Sequence, residues 1–134
     1  MSDDERDDPS IPDNAILWRR IPSWHTVPDR NQGGRMLSSA AFDDDNDAEP
    51  MSAFLASLVG EPHSVLEGHE GYALVGFTAG RARALGQRIL RDEDDAVPGH
   101  VLVIGPKTHS VRKKLRAACV WVFRPPDWDD VALR

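Results

Sequence analysis

Residues 99–123, GHVLVIGPKTHSVRKKLRAACVWVF, decide the fold class. Val101-Leu102-Val103-Ile104 is a continuous apolar run, the pattern of a strand buried on both faces. Gly105 and Pro106 end it. Val111, Leu115, Ala118 and Cys119 then share one side of a helix predicted over 109–118. Val120–Phe123 is apolar again and reads as a strand closed by Pro125-Pro126. The segment is therefore strand, helix, strand.

The same grammar precedes it. Tyr72–Phe77 reads as a strand, and Thr78 can cap a helix over about 79–87 with Ala82, Leu85 and Ile89 inward. Gly80 and Gly86 weaken that helix by up to ~1 kcal/mol each relative to Ala. Gln87–Arg91 reads as a short strand, followed by an acidic turn over 92–99. Further upstream, Ala15–Ile21 is a short apolar run bounded by Asn14 and Pro22, a third strand signal. Residues 22–35 form a Pro- and Gly-bearing loop, and Met36–Phe42 is a weak strand. Asp43, Asp44, Asp45, Asp47 and Glu49 read as a solvated acidic loop.

Pro50 suits the first turn of a helix. Met51, Phe54, Leu55, Leu58 and Val59 follow the i, i+3, i+4, i+7, i+8 stripe that predicts one, stopped by Gly60 and Pro62. The alternation of strands and helices predicts an α/β fold, with α+β the variant. The expectation is a single compact domain over 15–126, with a mixed sheet of about five strands and three helices. Residues 1–14, with six acidic residues against Arg6, read as a disordered acidic tail. Residues 127–134 read as a C-terminal tail, with Trp128 able to clamp the terminus.

Composition sets the outer limits. The chain has 134 residues, 40% hydrophobic and 28% charged, with a net charge of −6. That length suits one domain with its own core. The negative balance disfavours nonspecific binding of polyanions by the whole surface. Cys119 is the single cysteine, which excludes an intramolecular disulfide framework and a Cys-rich zinc module. No apolar run approaches the length of a membrane span, and the acidic start is unlike a signal peptide. A cytoplasmic location with no membrane association is the expectation.

The strongest chemical feature is the basic helix. Lys107, Arg112, Lys113, Lys114 and Arg116 crowd a short stretch of an acidic protein. The junction ahead of the helix adds Thr108 and Ser110 as donors, and free amides at a helix start favour anions. A P-loop it is not, since the second glycine and the Lys-Ser/Thr pair are missing. Arg81 and Arg88, seven residues apart, extend the positive surface if both helices share one side of the sheet. The plainer alternative is a solvated helix face whose charges pair with the acidic loops. Trp24, in the Pro-rich loop beside His25, is a candidate partner anchor. No motif calls for a cofactor, and no histidine spacing calls for a metal.

These features predict a small non-catalytic binding or adaptor domain. Lys107, Thr108, Ser110, Arg112, Lys113, Arg116, Arg81, Arg88 and Trp24 would meet a protein partner, with a nucleotide or nucleic-acid backbone as the other anionic option. The alternative is an enzyme acting on a nucleotide-like substrate. Arg19 or Arg20, then Ser38 and Ser39, then Glu67 or Glu70 form a progression that resembles the arginine, serine, glutamate order of some ADP-ribosyltransferases. The resemblance implies a transferase or hydrolase in which arginine and serine hold a dinucleotide and glutamate stabilises an oxocarbenium charge. The enzyme reading takes Arg20, Ser39, Glu70 and His100 as its candidate catalytic set, with the strand–helix junction at 105–110 binding phosphate. It predicts a pocket gathering those four residues, whereas the adaptor predicts an exposed patch.

Overall fold

A computed structural model describes residues 7–46, 48–92 and 98–133. The chain runs β1 (Ile16–Ile21), β2 (Thr26–Pro28), β3 (Arg35–Leu37), a 3-10 turn over Ser39–Phe42, β4 (Met51–Leu55), α1 (Ala56–Val59) and α2 (Pro62–Leu66). It continues through β5 (Ala73–Thr78), α3 (Ala79–Ala84), β6 (Arg88–Arg91), β7 (His100–Ile104), α4 (His109–Ala118), β8 (Val120–Phe123), a 3-10 turn over Pro126–Trp128, and β9 (Val131–Ala132). The fold is α+β in one domain. Its main sheet has six strands in the order β6-β7-β4-β1-β5-β8, and every neighbouring pair is antiparallel. The parallel pairing of a mixed sheet occurs instead between β3 and β9, in a second sheet of three strands.

Two cores lie on the two faces of the main sheet. On one face Leu17, Met51, Ala53, Val75, Ile89, Val101 and Val103 pack against Ala79 and Ala82 of α3 and Leu115 of α4. On the other, Trp18, Phe54 and Leu74 pack with Val65 of α2. The alternation of Leu17 with Trp18, and of Ala53 with Phe54, follows from the two-residue side-chain period of a strand. β7 is less enclosed than its apolar run predicts. Val101 and Val103 are buried, while Leu102 and Ile104 are half-buried beyond the cover of α1 and α2.

The helix expected from Pro50 is instead β4 followed by the single turn of α1. Met51 and Leu55 satisfy both the helical stripe and a strand alternation through Ala53, and the sheet selects the strand. β4 sits between β1 and β7 and is buried on both faces, whereas one helical turn has little intrinsic stability. The weak strand at 36–42 divides in the same way. β3 ends at Leu37, and the Ser38 hydroxyl accepts from the amide of Ala40 to start the 3-10 turn. Helix α3 ends at Ala84, so Arg88 stands on a strand and not on the helix with Arg81. Helix α4 and strand β8 match their predicted bounds.

The described residues near both ends, from Asp7 and up to Leu133, pack on the domain. Ile11 is 1% exposed and joins the main core. The Asp8 amide donates to the Ile89 carbonyl (2.8 Å), and the Ile89 amide donates to the Asp7 carboxylate (2.8 Å). The arm thereby covers the open edge of β6, which would otherwise offer free ladder groups. Arg83 pairs with Asp7 (2.9 Å) and Asp13 (2.8 Å), and Arg91 with Asp8 (3.1 Å). Hydrogen bonds from Ser10, with Arg91 beside them, hold the Asp8 carboxyl below its ordinary range. The expected tail of 1–14 is thus ordered from Asp7 onward, and residues 1–6 lie outside the described residues. At the other end Trp128 is 1% exposed, sits edge-on to Trp121 (6.0 Å), and leads into β9. Composition judged each segment alone; its binding surface is supplied by the rest of the fold.

Candidate functional site

The basic segment is built first by its helix cap. The Thr108 hydroxyl accepts from the Val111 amide (3.2 Å) and starts α4, so its role is structural. Lys107 turns inward. Its side chain is 2% exposed, and its ammonium donates to the carbonyls of Val103 (2.9 Å) and Gly105 (3.1 Å) and to Asp44 (3.1 Å). Burial pushes its pKa down, with the Asp44 hydrogen bond opposing. Arg112 donates to Asp43 (3.0 Å), and Arg116 to the Leu37 carbonyl (3.0 Å). The segment 43–45 is therefore no free acidic loop, and Asp47 lies outside the described residues. The positive surface expected from Lys107, Arg112 and Arg116 is largely used inside the molecule.

What stays exposed is narrower. Ser110, Lys113 and Lys114 are exposed on α4, and Arg81 is exposed on α3. Among the described residues the side chains of Arg81, Lys113 and Lys114 have no hydrogen-bonding or ion-pair partner. Helices α3 and α4 do cover the same face of the sheet. Between them runs a groove of about 210 Å³ lined by Arg81, Ala84, Leu85, Lys114, Ala117 and Ala118, of which Leu85 and Ala118 are half-buried and the others exposed. Lys114 belonged to the basic run but not to the predicted contact set; helical spacing alone does not show which lysine faces α3. Arg88 is on the opposite face, because its neighbour Ile89 points into the helix-side core. Arg83, also on α3, is taken up by the N-terminal arm.

A second depression, about 520 Å³, opens where two strands part. β1 pairs with β4 only at Leu17–Leu55 and Trp18–Phe54. Beyond those pairs β1 stays with β5, and β4 stays with β7. Arg19 fills the seam, donating to the carbonyls of Ser52 (2.8 Å) and Ala41 (3.1 Å) and to Asp45 (3.0 Å). Trp24 stands at the mouth, 68% exposed and edge-on to Tyr72 (5.8 Å), which is itself edge-on to His69 (5.1 Å). The Nδ1 atom of His25 is buried there without a partner among the described residues. Burial lowers the pKa of His25, and the charge of Arg19 adds to the effect. Trp24 is a candidate anchor by sequence. Tyr72 and His69 were not, since they come from a distant turn.

The four candidate catalytic residues are not gathered. Arg20 lies over the Phe54 ring (4.9 Å) and donates to the Val65 carbonyl (3.0 Å), on the α2 side of the sheet. His100 meets the same ring (5.3 Å) and contacts Asp92 (3.0 Å). Ser39 begins a turn whose Ala41 and Phe42 enter the opposite core. Glu70 is exposed in the turn after α2, and the cleft that Arg20 lines includes none of the other three. Among the described residues no group of three or more His, Cys, Asp or Glu could hold a metal ion, and no helix is long and apolar enough to cross a membrane. Comparison with protein-family models, curated proteins and solved structures finds no match to this chain.

Proposed function

We propose that this chain is a non-catalytic binding domain that takes an acidic segment of a protein partner in the groove between α3 and α4. The observation that carries the reading is the pair of exposed cations, Arg81 and Lys114, whose side chains have no carboxylate partner among the described residues and which line one groove with Ala84, Leu85, Ala117 and Ala118. Six described cations, Arg19, Arg35, Arg83, Arg91, Lys107 and Arg112, are paired with carboxylates in this protein of net charge −6; Arg81 and Lys114 are not. The apolar lining of Ala84, Leu85, Ala117 and Ala118 suits one small apolar side chain, and the two cations suit carboxylates beside it. Arg forks favour carboxylates with two parallel hydrogen bonds. A long phosphate chain fits less well, because the wider surface is negative.

Such a contact is weak for each site. One buried apolar side chain contributes about 1.5–3 kcal/mol, and exposed ion pairs about 0.2–1 kcal/mol each. The test is a titration of the labelled protein with an acidic peptide containing leucine, followed by amide NMR. The expected result is shifts at Ala84, Leu85, Ala117 and Ala118, reduced at least tenfold in affinity by Arg81→Glu with Lys114→Glu. Replacing the peptide's glutamates with glutamines should have the same effect. Binding that ignores both charge changes, or shifts confined to other surfaces, would refute the proposal.

A further inference from the structure

The cleft at the parting of β1 and β4 carries an inference separate from the helical groove. We propose that it binds a guanidinium, as the arginine side chain of a basic segment, held between the Trp24 and Tyr72 rings and the carboxylates of Asp43, Asp44 and Asp45.

Accessible charge, more than total charge, decides the ligand. The cleft contains positive groups, but they stand behind its acids. Asp43, Asp44 and Asp45 have side chains 48%, 41% and 33% exposed. Their cationic partners Arg112, Lys107 and Arg19 are 25%, 2% and 12% exposed. Each pair therefore turns its negative end outward. Arg20, the remaining cation of the lining, is directed at Phe54 and the Val65 carbonyl. The face open to solvent thus presents carboxylate oxygens together with the ring of Trp24.

Those two features have one chemical complement. An aromatic face attracts a cation through its quadrupole, most strongly for tryptophan. Carboxylates accept the forked donors of guanidinium in its plane, while that plane stacks on a ring. The backbone next to Trp24 is tied down. His25, its neighbour in sequence, donates its amide to the Pro22 carbonyl (3.0 Å) and accepts from the Ser38 amide (2.8 Å). The small β2–β3 sheet then fixes the loop from Thr26 onward. A nucleobase could use the same ring, but its phosphates would meet the exposed carboxylates.

The probe is acetyl-arginine amide, with acetyl-citrulline amide as its uncharged counterpart and AMP as an anionic comparison. Amide and indole NMR of the whole chain should show the arginine probe shifting the Trp24 indole and the Tyr72 and His69 amides. Citrulline should bind at least fivefold more weakly, and a rise from 50 to 500 mM salt should weaken the arginine probe severalfold. Trp24→Ala should abolish the shifts at Tyr72 and His69. A second measurement needs no variant. Trp18 and Trp128 are buried and Trp121 half-buried, so collisional quenching reads mainly Trp24. Caesium should quench it more strongly, relative to iodide, than it quenches free acetyl-tryptophan amide. Equal shifts from citrulline, AMP displacing the arginine probe as the preferred ligand, or iodide as the better quencher would each overturn the proposal.

Discussion

Lys107 separates a surface reading of the basic segment from the folded one. Replacing it with methionine keeps the apolar stem and removes the ammonium. Three hydrogen bonds go, to Val103 O, Gly105 O and Asp44. Asp44 is 41% exposed and can be rehydrated, so its loss is small. The two carbonyls at the end of β7 have been served by a side chain only 2% exposed, and methionine offers them no donor. Each buried acceptor left unmade costs about 1–3 kcal/mol. Release from burying a charge offsets part of that sum. The expected net destabilisation is about 2–4 kcal/mol, from the same balance. In a chain of this size each kcal/mol lowers Tm by roughly 3–5 °C. Urea unfolding of Lys107→Met and Lys113→Met side by side measures it. Lys113 is exposed and without a partner among the described residues, and its replacement should stay within about 0.5 kcal/mol. Binding of the acidic peptide should survive Lys107→Met. If the variant is as stable as the parent and loses the peptide instead, Lys107 belongs to the binding surface and the inward placement is wrong.

Ile11→Ala should cost about 2–5 kcal/mol in a urea melt, the range for a truncated core isoleucine, where a free tail would cost nothing measurable. Gly80→Ala gives a test of opposite sign. Helix propensity promises up to ~1 kcal/mol of gain. A Cβ at Gly80 would lie 2.9 Å from the Asp13 Cβ and 3.0 Å from its backbone carbonyl. Displacing the arm should instead destabilise by about 1–3 kcal/mol, and a stabilised variant would show that the arm does not sit on α3. The third concerns pH. His25 has a folded pKa below its ordinary 6.5, so below that pH the unfolded chain takes up the proton first. Its contribution to stability is complete above 6.5 and is lost as pH falls through the folded value. The drop in unfolding free energy between pH 7 and pH 5 should therefore shrink in His25→Gln; an unchanged drop would place the proton uptake elsewhere.

The elements legible in the sequence were those with one pattern and one solution. Helix α4 carries a hydroxyl cap, an apolar stripe and ten helical residues, and its bounds follow from those alone. β8 and β5 are short apolar runs closed by Pro125 and by the Thr78 cap. β4 differs from its sequence expectation because Met51 and Leu55 fit two periods equally. Only the vacancy between β1 and β7 chooses between them. The arm differs from expectation for a related reason: its aspartates look solvated until Arg83 and Arg91 are placed beside them.

The candidate sites divide along the same line. Sequence by itself determined that cations concentrate on one helix, that acids form clusters, and that Trp24 lies in an irregular loop. Those are properties of neighbours along the chain. Which cations remain available was decided only by tertiary structure. Asp44, Asp43 and Leu37 reach Lys107, Arg112 and Arg116 from far away in sequence, while the side chains of Arg81 and Lys114 line a groove without an ion-pair partner among the described residues. A charge interacts over a few ångströms of space, and the chain alone does not state which distant residues fall within that reach.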